Sequence, residues 1–199
     1  DNTGNVSSTF ARSTLENGRP FFSRRIGLSG TGDPVDLIGG AKVSGRIGGF
    51  NVGALAIRQD EQPTVDARNL FVARATANVL SESSLGLIAT SGDPRSNLDN
   101  TVVGADFKYT NTRFAGGRLM EGEAWVQKSD TEGLTGDDAA WGFRLRSPTN
   151  TGWYGGLGLK HLEDNFNPAL GYVNRRGVND QTVELGYTKR RPGKAIQTL

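Results

Sequence analysis

Two carboxylates separated by one residue, Glu121 and Glu123 in "MEGEAWVQ", are the nearest this sequence comes to a catalytic pair. On a strand, alternate residues share a face and sit about 6–7 Å apart along the backbone, which overlaps the carboxyl spacing of glycoside hydrolases. Such pairs, however, approach their substrate from opposite sides of a cleft, and these two project from one side of one strand. Salt-bridged structural roles are the favoured reading.

The remaining chemistry is sparse. His161 is the single histidine, so no multi-histidine metal site can form, and no local motif offers it a serine and an acid for a triad. The absence of cysteine removes disulfides, thiolate metal sites and thiol nucleophiles together. Asp130, Asp137 and Asp138 in "SDTEGLTGDD" lack the alternate-residue spacing of a calcium loop. "GGLGLK" (155–160) lacks the spacing of a phosphate-binding loop, and its glycines read as relief for a curved strand. In "RPFFSRRIG", Arg19, Arg24 and Arg25 surround Phe21 and Phe22. Arginine forks match anionic groups, but an aromatic anchor at a strand end, with solvated or acid-paired arginines, is preferred. No cofactor is expected.

What must position these residues is a set of strands. Period-two alternation marks 35–45, 49–60, 67–80, 84–91, 100–110, 118–128, 139–147, 152–163 and 181–189. Several reach ten or more residues, close to the ~9–11 of a tilted membrane-spanning strand. No segment of helical length carries a 3.6-residue apolar stripe, so the class is all-β. No apolar run approaches the ~18 residues of a transmembrane helix. The net charge of +2, with both signs interspersed, leaves no nucleic-acid footprint.

The connections sort by length. "GRIG" (45–48), "SES" (81–83) and "PTNT" (148–151) are short. "EQPTVD" (61–66), "SGDPRSNLD" (91–99), "SDTEGLTGDD" (129–138) and the stretch 163–180 are long. Short turns at one end and long loops at the other are characteristic of outer-membrane barrels. "NTRFAGGR" (111–118) breaks the rule, being long where a short turn belongs.

The strands are two-faced. Val103, Ala105, Phe107 and Tyr109 oppose Gly104, Asp106 and Lys108; Trp141, Phe143 and Leu145 oppose Gly142, Arg144 and Arg146. A soluble core would bury almost no charge, whereas charges on adjacent strands can pair across a sheet for about 0.2–1 kcal/mol each. In a membrane barrel the apolar face meets lipid and the charged face lines the interior. Candidate interior residues are therefore Lys42, Arg74, Asp106, Lys108, Glu121, Glu123, Arg144, Arg146, Lys160 and Glu184. Two features resist this scheme: Trp125 falls on a polar face, and "ALAI" (54–57) is apolar on both.

Three blocks occur in order: "GRPFFSRRIGLSG" (18–30), "DLIGGAKVSGRIGGFNVGALAIRQDE" (36–61) and "EDNFNPALGYVNRRG" (163–177). They resemble the C-terminal β-barrel domain, of unassigned function, that follows a family-9-type carbohydrate-binding module in secreted Gram-negative proteins. The resemblance implies an outer-membrane barrel, contact with outer-membrane lipid, and carbohydrate binding only through an N-terminal module that this sequence does not contain. It also implies a piece of a longer chain or a shortened relative.

The expectation is thus an all-β, antiparallel, up-and-down barrel of outer-membrane type, or a large fragment of one. It comprises a lead-in (1–34), a barrel segment (35–190) and a tail (191–199), acts as a non-catalytic pore, docking or anchoring domain at the bacterial outer membrane, and has no nucleic-acid partner. The alternatives are a soluble ligand-binding sandwich or barrel, and a carbohydrate-active hydrolase using the two glutamates.

Overall fold

A computed structural model describes residues 17–149 and 151–189. The first sixteen residues of the lead-in and the tail lie outside this range. A short 3-10 turn at Ser23–Arg25 precedes nine strands: β1 Leu37–Ile47, β2 Phe50–Gln59, β3 Arg68–Val79, β4 Ser83–Ser91, β5 Asn100–Phe114, β6 Arg118–Thr131, β7 Ala139–Ser147, β8 Gly152–Leu162 and β9 Val178–Thr188. Each pairs antiparallel with the next, giving one up-and-down sheet in the order β1 to β9. The fold is all-β, as the alternation predicts. The sheet is open: β1 and β9 form its two edges and do not pair with each other. Of the two forms expected, a barrel or a large fragment of one, the described residues give the open form, a nine-stranded antiparallel wall that does not close.

The connections obey a strict parity. β1–β2, β3–β4, β5–β6 and β7–β8 are joined by two to four residues, whereas 60–67, 92–99, 132–138 and 163–177 make the other end long-looped. The apparent exception at 111–118 disappears because β5 continues to Phe114 through a register shift and turns over only 115–117. Gly116 and Gly117, both at positive φ, make that reversal possible. The extension of β5 is held by Glu82 in the β3–β4 turn, whose carboxylate accepts from both the Thr112 N–H and its hydroxyl at 2.7 Å.

The register sorts side chains onto two faces. On one lie Val43, Phe71, Leu87, Val103, Val126, Phe143, Leu157 and Leu185, all exposed. The other face is polar toward the short turns and covered toward the long loops. The cover consists of the lead-in from Asn17 and the β8–β9 connection. Backbone bonds zip the two together: Gly18 and Arg19 N–H donate to the Tyr172 carbonyl, Tyr172 N–H returns to Arg19, and Phe22 N–H donates to Leu170. A Cβ at Gly171 would overlap the Arg19 carbonyl, so this close approach requires glycine.

Beneath the cover are two small apolar clusters. Leu70, Val72 and Leu170 take in Phe21, Ile26, Leu55, Ile57 and Ile88. Trp125, Ala140, Leu162 and Phe166 take in Val173. This orients β2: Leu55 and Ile57 face the cover, while Ala54 and Ala56 join the opposite, exposed side. The same geometry revises the reading of "RPFFSRRIG" as an aromatic anchor at a strand end. Phe21 enters the covered core, and Phe22 packs on Tyr172 with ring centroids 5.7 Å apart. Arg24 and Arg25 belong to the 3-10 turn, while Arg19 bridges to Tyr172 through its backbone.

Candidate functional site

Cross-strand partners point to the same side of a sheet, so the register can be followed from strand to strand. Lys42 lies opposite Leu55, Leu55 opposite Val72, and Arg74 two residues further along β3 shares their face. Arg74 is opposite Ile88, Ile88 opposite Gly104, and Asp106 and Lys108 follow on β5. Lys108 is opposite Glu123, Glu123 opposite Arg144, and Glu121 opposite Arg146. Arg144 leads through Gly158 to Thr182, Lys160 faces Asp180, and Gly156 faces Glu184. All ten charged residues singled out from the sequence therefore share one face.

They are not ten equivalent charges. Arg74 donates a forked pair of hydrogen bonds to Asp106, Nη1 to Oδ2 at 2.5 Å and Nη2 to Oδ1 at 2.9 Å. The two are not on neighbouring strands; the pair spans β4 above Gly86, where any Cβ would collide with both partners. Glu121 accepts from Arg146 Nε at 2.6 Å, and Glu123 lies 3.6 Å from Arg144. Lys160 reaches Asp180 at 3.2 Å. Lys42 stands on β1, where every residue is exposed. Lys108 is exposed and makes no ion pair among the described residues. Glu184 keeps a buried Oε1 with no hydrogen-bond partner among the described residues.

Glycines make this arrangement flat. Trp125 lies across Gly142 and Tyr154 across Gly186, each over the glycine directly opposite on the adjacent strand. Long side chains on this face thus lie along the sheet. Trp125 does not interrupt the polar face as an anomaly: it is the boundary between the charged half and the covered half.

Neutral polar groups fasten the cover. Gln127 Nε2 donates to the Gly18 carbonyl at 2.9 Å. Asn100 Nδ2 donates to the Asn167 carbonyl at 2.8 Å, and the Ser129 hydroxyl accepts from Asn167 N–H at 3.0 Å. Gln59 bridges, donating to the Pro94 carbonyl and accepting from Gly27 N–H. These anchors are not singled out by sequence, although Gln127 and Ser129 continue the alternation of Glu121 and Glu123.

His161 bonds through Nδ1 to Asn179 and stands 4.0 Å from Glu163, on the exposed side of the sheet away from the glutamate pair. Among the described residues, no group of three or more acidic or histidine side chains is placed to hold a metal. In the loops, burial and the nearby Arg25 guanidinium lower the pKa of Arg95. Hydrogen bonds from Thr112 hold the Glu82 carboxyl below its ordinary value.

The chain matches no protein-family model, no curated protein and no solved structure. Residues 18–30 and 163–177 form the cover, and 36–61 supply β1 and β2 beside it.

Proposed function

We propose that the apolar face of the sheet lies against lipid and that the chain forms the wall of an outer-membrane-type β-barrel, serving as an anchoring or docking domain. The observation that carries this reading is the pairing of opposites: a continuous exposed apolar face on one side, with ion pairs and a covered core on the other. Val43 is 69 % exposed, Leu87 58 % and Val183 77 %, on strands spread across the whole sheet. A face of that extent exceeds the few hundred Å² of apolar patch that a soluble monomer tolerates.

Aromatic residues bracket the face. Trp141 packs on His161 near the long loops, and Trp153 packs edge-on against Tyr187 near the short turns. His161 and Trp153 are eight residues apart on β8, about 26 Å along the strand and about 20 Å along a barrel axis at ~40° tilt. That is comparable to the ~25 Å apolar band of outer-membrane barrels. The loop parity and the resemblance point the same way, and the resemblance alone links the anchor to carbohydrate. The cover over the long-loop half favours anchoring over an open pore. The engagement of Glu121 and Glu123 by arginines favours a structural role for both over acid–base chemistry.

The test uses tryptophan depth. In single-tryptophan variants reconstituted into vesicles with brominated acyl chains, Trp141 and Trp153 should be quenched and Trp125 spared. A monodisperse protein that needs no detergent, with neither outer tryptophan quenched, would overturn the proposal.

A further inference from the structure

Between the lead-in and the sheet, where the cover stops and the charged half begins, lies a cavity of ≈ 290 Å³. Its walls are Arg19 from the cover and Arg74, Asp106, Lys108, Trp125 and Gln127 from β3, β5 and β6. We propose that this cavity binds a small hydroxylated anion, a carboxylate or a phosphate monoester carrying at least one alcohol. The inference rests on how the cover meets the sheet and holds whether or not the opposite face meets lipid.

Three observations define the ligand. The first is charge. Arg74 and Asp106 neutralise each other through their forked bond. Arg19 and Lys108 have no ion pair or side-chain hydrogen bond among the described residues, so two cations flank the cavity without a counter-charge. An anion supplies it, and both side chains can donate to a carboxylate or phosphate oxygen.

The second is an orphaned acceptor. Gln127 is 3 % exposed. Its amide nitrogen is spent on the Gly18 carbonyl, and its Oε1 is buried with no partner among the described residues. A buried acceptor left unsatisfied is destabilising, and such groups mark missing partners. Neither Arg19 nor Lys108 donates to it among the described residues, and an alcohol O–H on the ligand could satisfy it without adding charge. The third is shape. Trp125, 4 % exposed and held flat across Gly142, gives one wall a rigid apolar surface against which a carbon skeleton can lie.

Trp125 also provides the readout. In a chain carrying Trp141→Phe and Trp153→Phe it is the sole tryptophan. That protein, full length in the medium that keeps it dispersed, is titrated with gluconate and, separately, with glycerol 1-phosphate. Glycerol and acetate are the probes that lack one element of the ligand. Saturable change in Trp125 emission with gluconate, with glycerol phosphate, or with both is the expected result, and which one responds identifies the anionic group. Arg19→Gln and Lys108→Gln, exposed positions whose variants should melt as the parent does, should each weaken that affinity about tenfold, as for loss of one charge-assisted hydrogen bond. The proposal is overturned if neither anion saturates, if glycerol or acetate binds equally well, or if both variants keep affinities within about twofold of the parent.

Discussion

Gly86 shows how much one missing side chain can specify. The guanidinium of Arg74 crosses a whole strand to reach Asp106 only because β4 presents no Cβ beneath it. Gly86→Val should part the pair and strand a carboxylate that is nearly buried, lowering unfolding free energy by about 1–3 kcal/mol. Gly158→Ala is the matched control, since its Cβ would meet only Thr182 at an ordinary 3.8 Å, and it should stay within about 0.5 kcal/mol of the parent. Denaturant titration of both variants checks the contrast. Glu82 offers a prediction in pH. Its folded pKa is lowered by the Thr112 bonds, so its contribution is complete above the unfolded value of about 4.5 and is lost as pH falls through the folded pKa. Stability curves of the parent and Glu82→Gln should therefore differ at neutral pH and converge in acid. The sequence makes Arg74 and Asp106 legible as residues of one face. It does not make them legible as a pair, because that depends on the register of the strand between them.

The elements were readable wherever one face met solvent and the other did not. Nine alternating segments correspond to nine strands, and the outlying "NTRFAGGR" is a strand end and tight turn fused by a register shift. Alternation fails at Leu55 and Ile57 of "ALAI" in β2, at Leu70 and Val72 in β3, at Ile88 in β4, at Trp125 in β6, at Ala140 in β7 and at Leu162 in β8. These positions belong to the two covered clusters, where the usually polar face also meets apolar groups. A loss of period two inside an otherwise alternating strand is thus the sequence signal of a covered interior, and it was available at "ALAI". What could not be read is the identity of the covering segments, since residues 17–28 and 163–177 have no period and meet only in three dimensions. If they act as a unit with the sheet, Leu170→Ala, which removes a fully buried side chain, should cost about 2–5 kcal/mol. Val183→Ala, on the exposed face, leaves no cavity and should cost far less in the same denaturation experiment.

At the scale of the molecule, the apolar face makes a prediction about where the chain will fold. Ala105 sits mid-strand on that face between Leu87 and Val126. Arginine there, at the midplane of a bilayer, would cost about 2–4 kcal/mol. Ala105→Arg should therefore reduce folding into vesicles, while Thr135→Arg in the exposed β6–β7 loop should not, as read by protease protection of the strands. The two ends of the sheet have a further consequence. Because neighbours alternate in direction and the described residues form nine strands, β1 and β9 run the same way. A ring of alternating strands needs an even count, so these nine could meet edge to edge only by forming a parallel seam. Duplicating hairpins, each of which adds two strands, would never remove that mismatch. Completion in the antiparallel style takes a lone strand, or some other odd number, from outside residues 37–188. A sheet enlarged hairpin by hairpin would thus preserve its need for that unpaired addition however wide it grew.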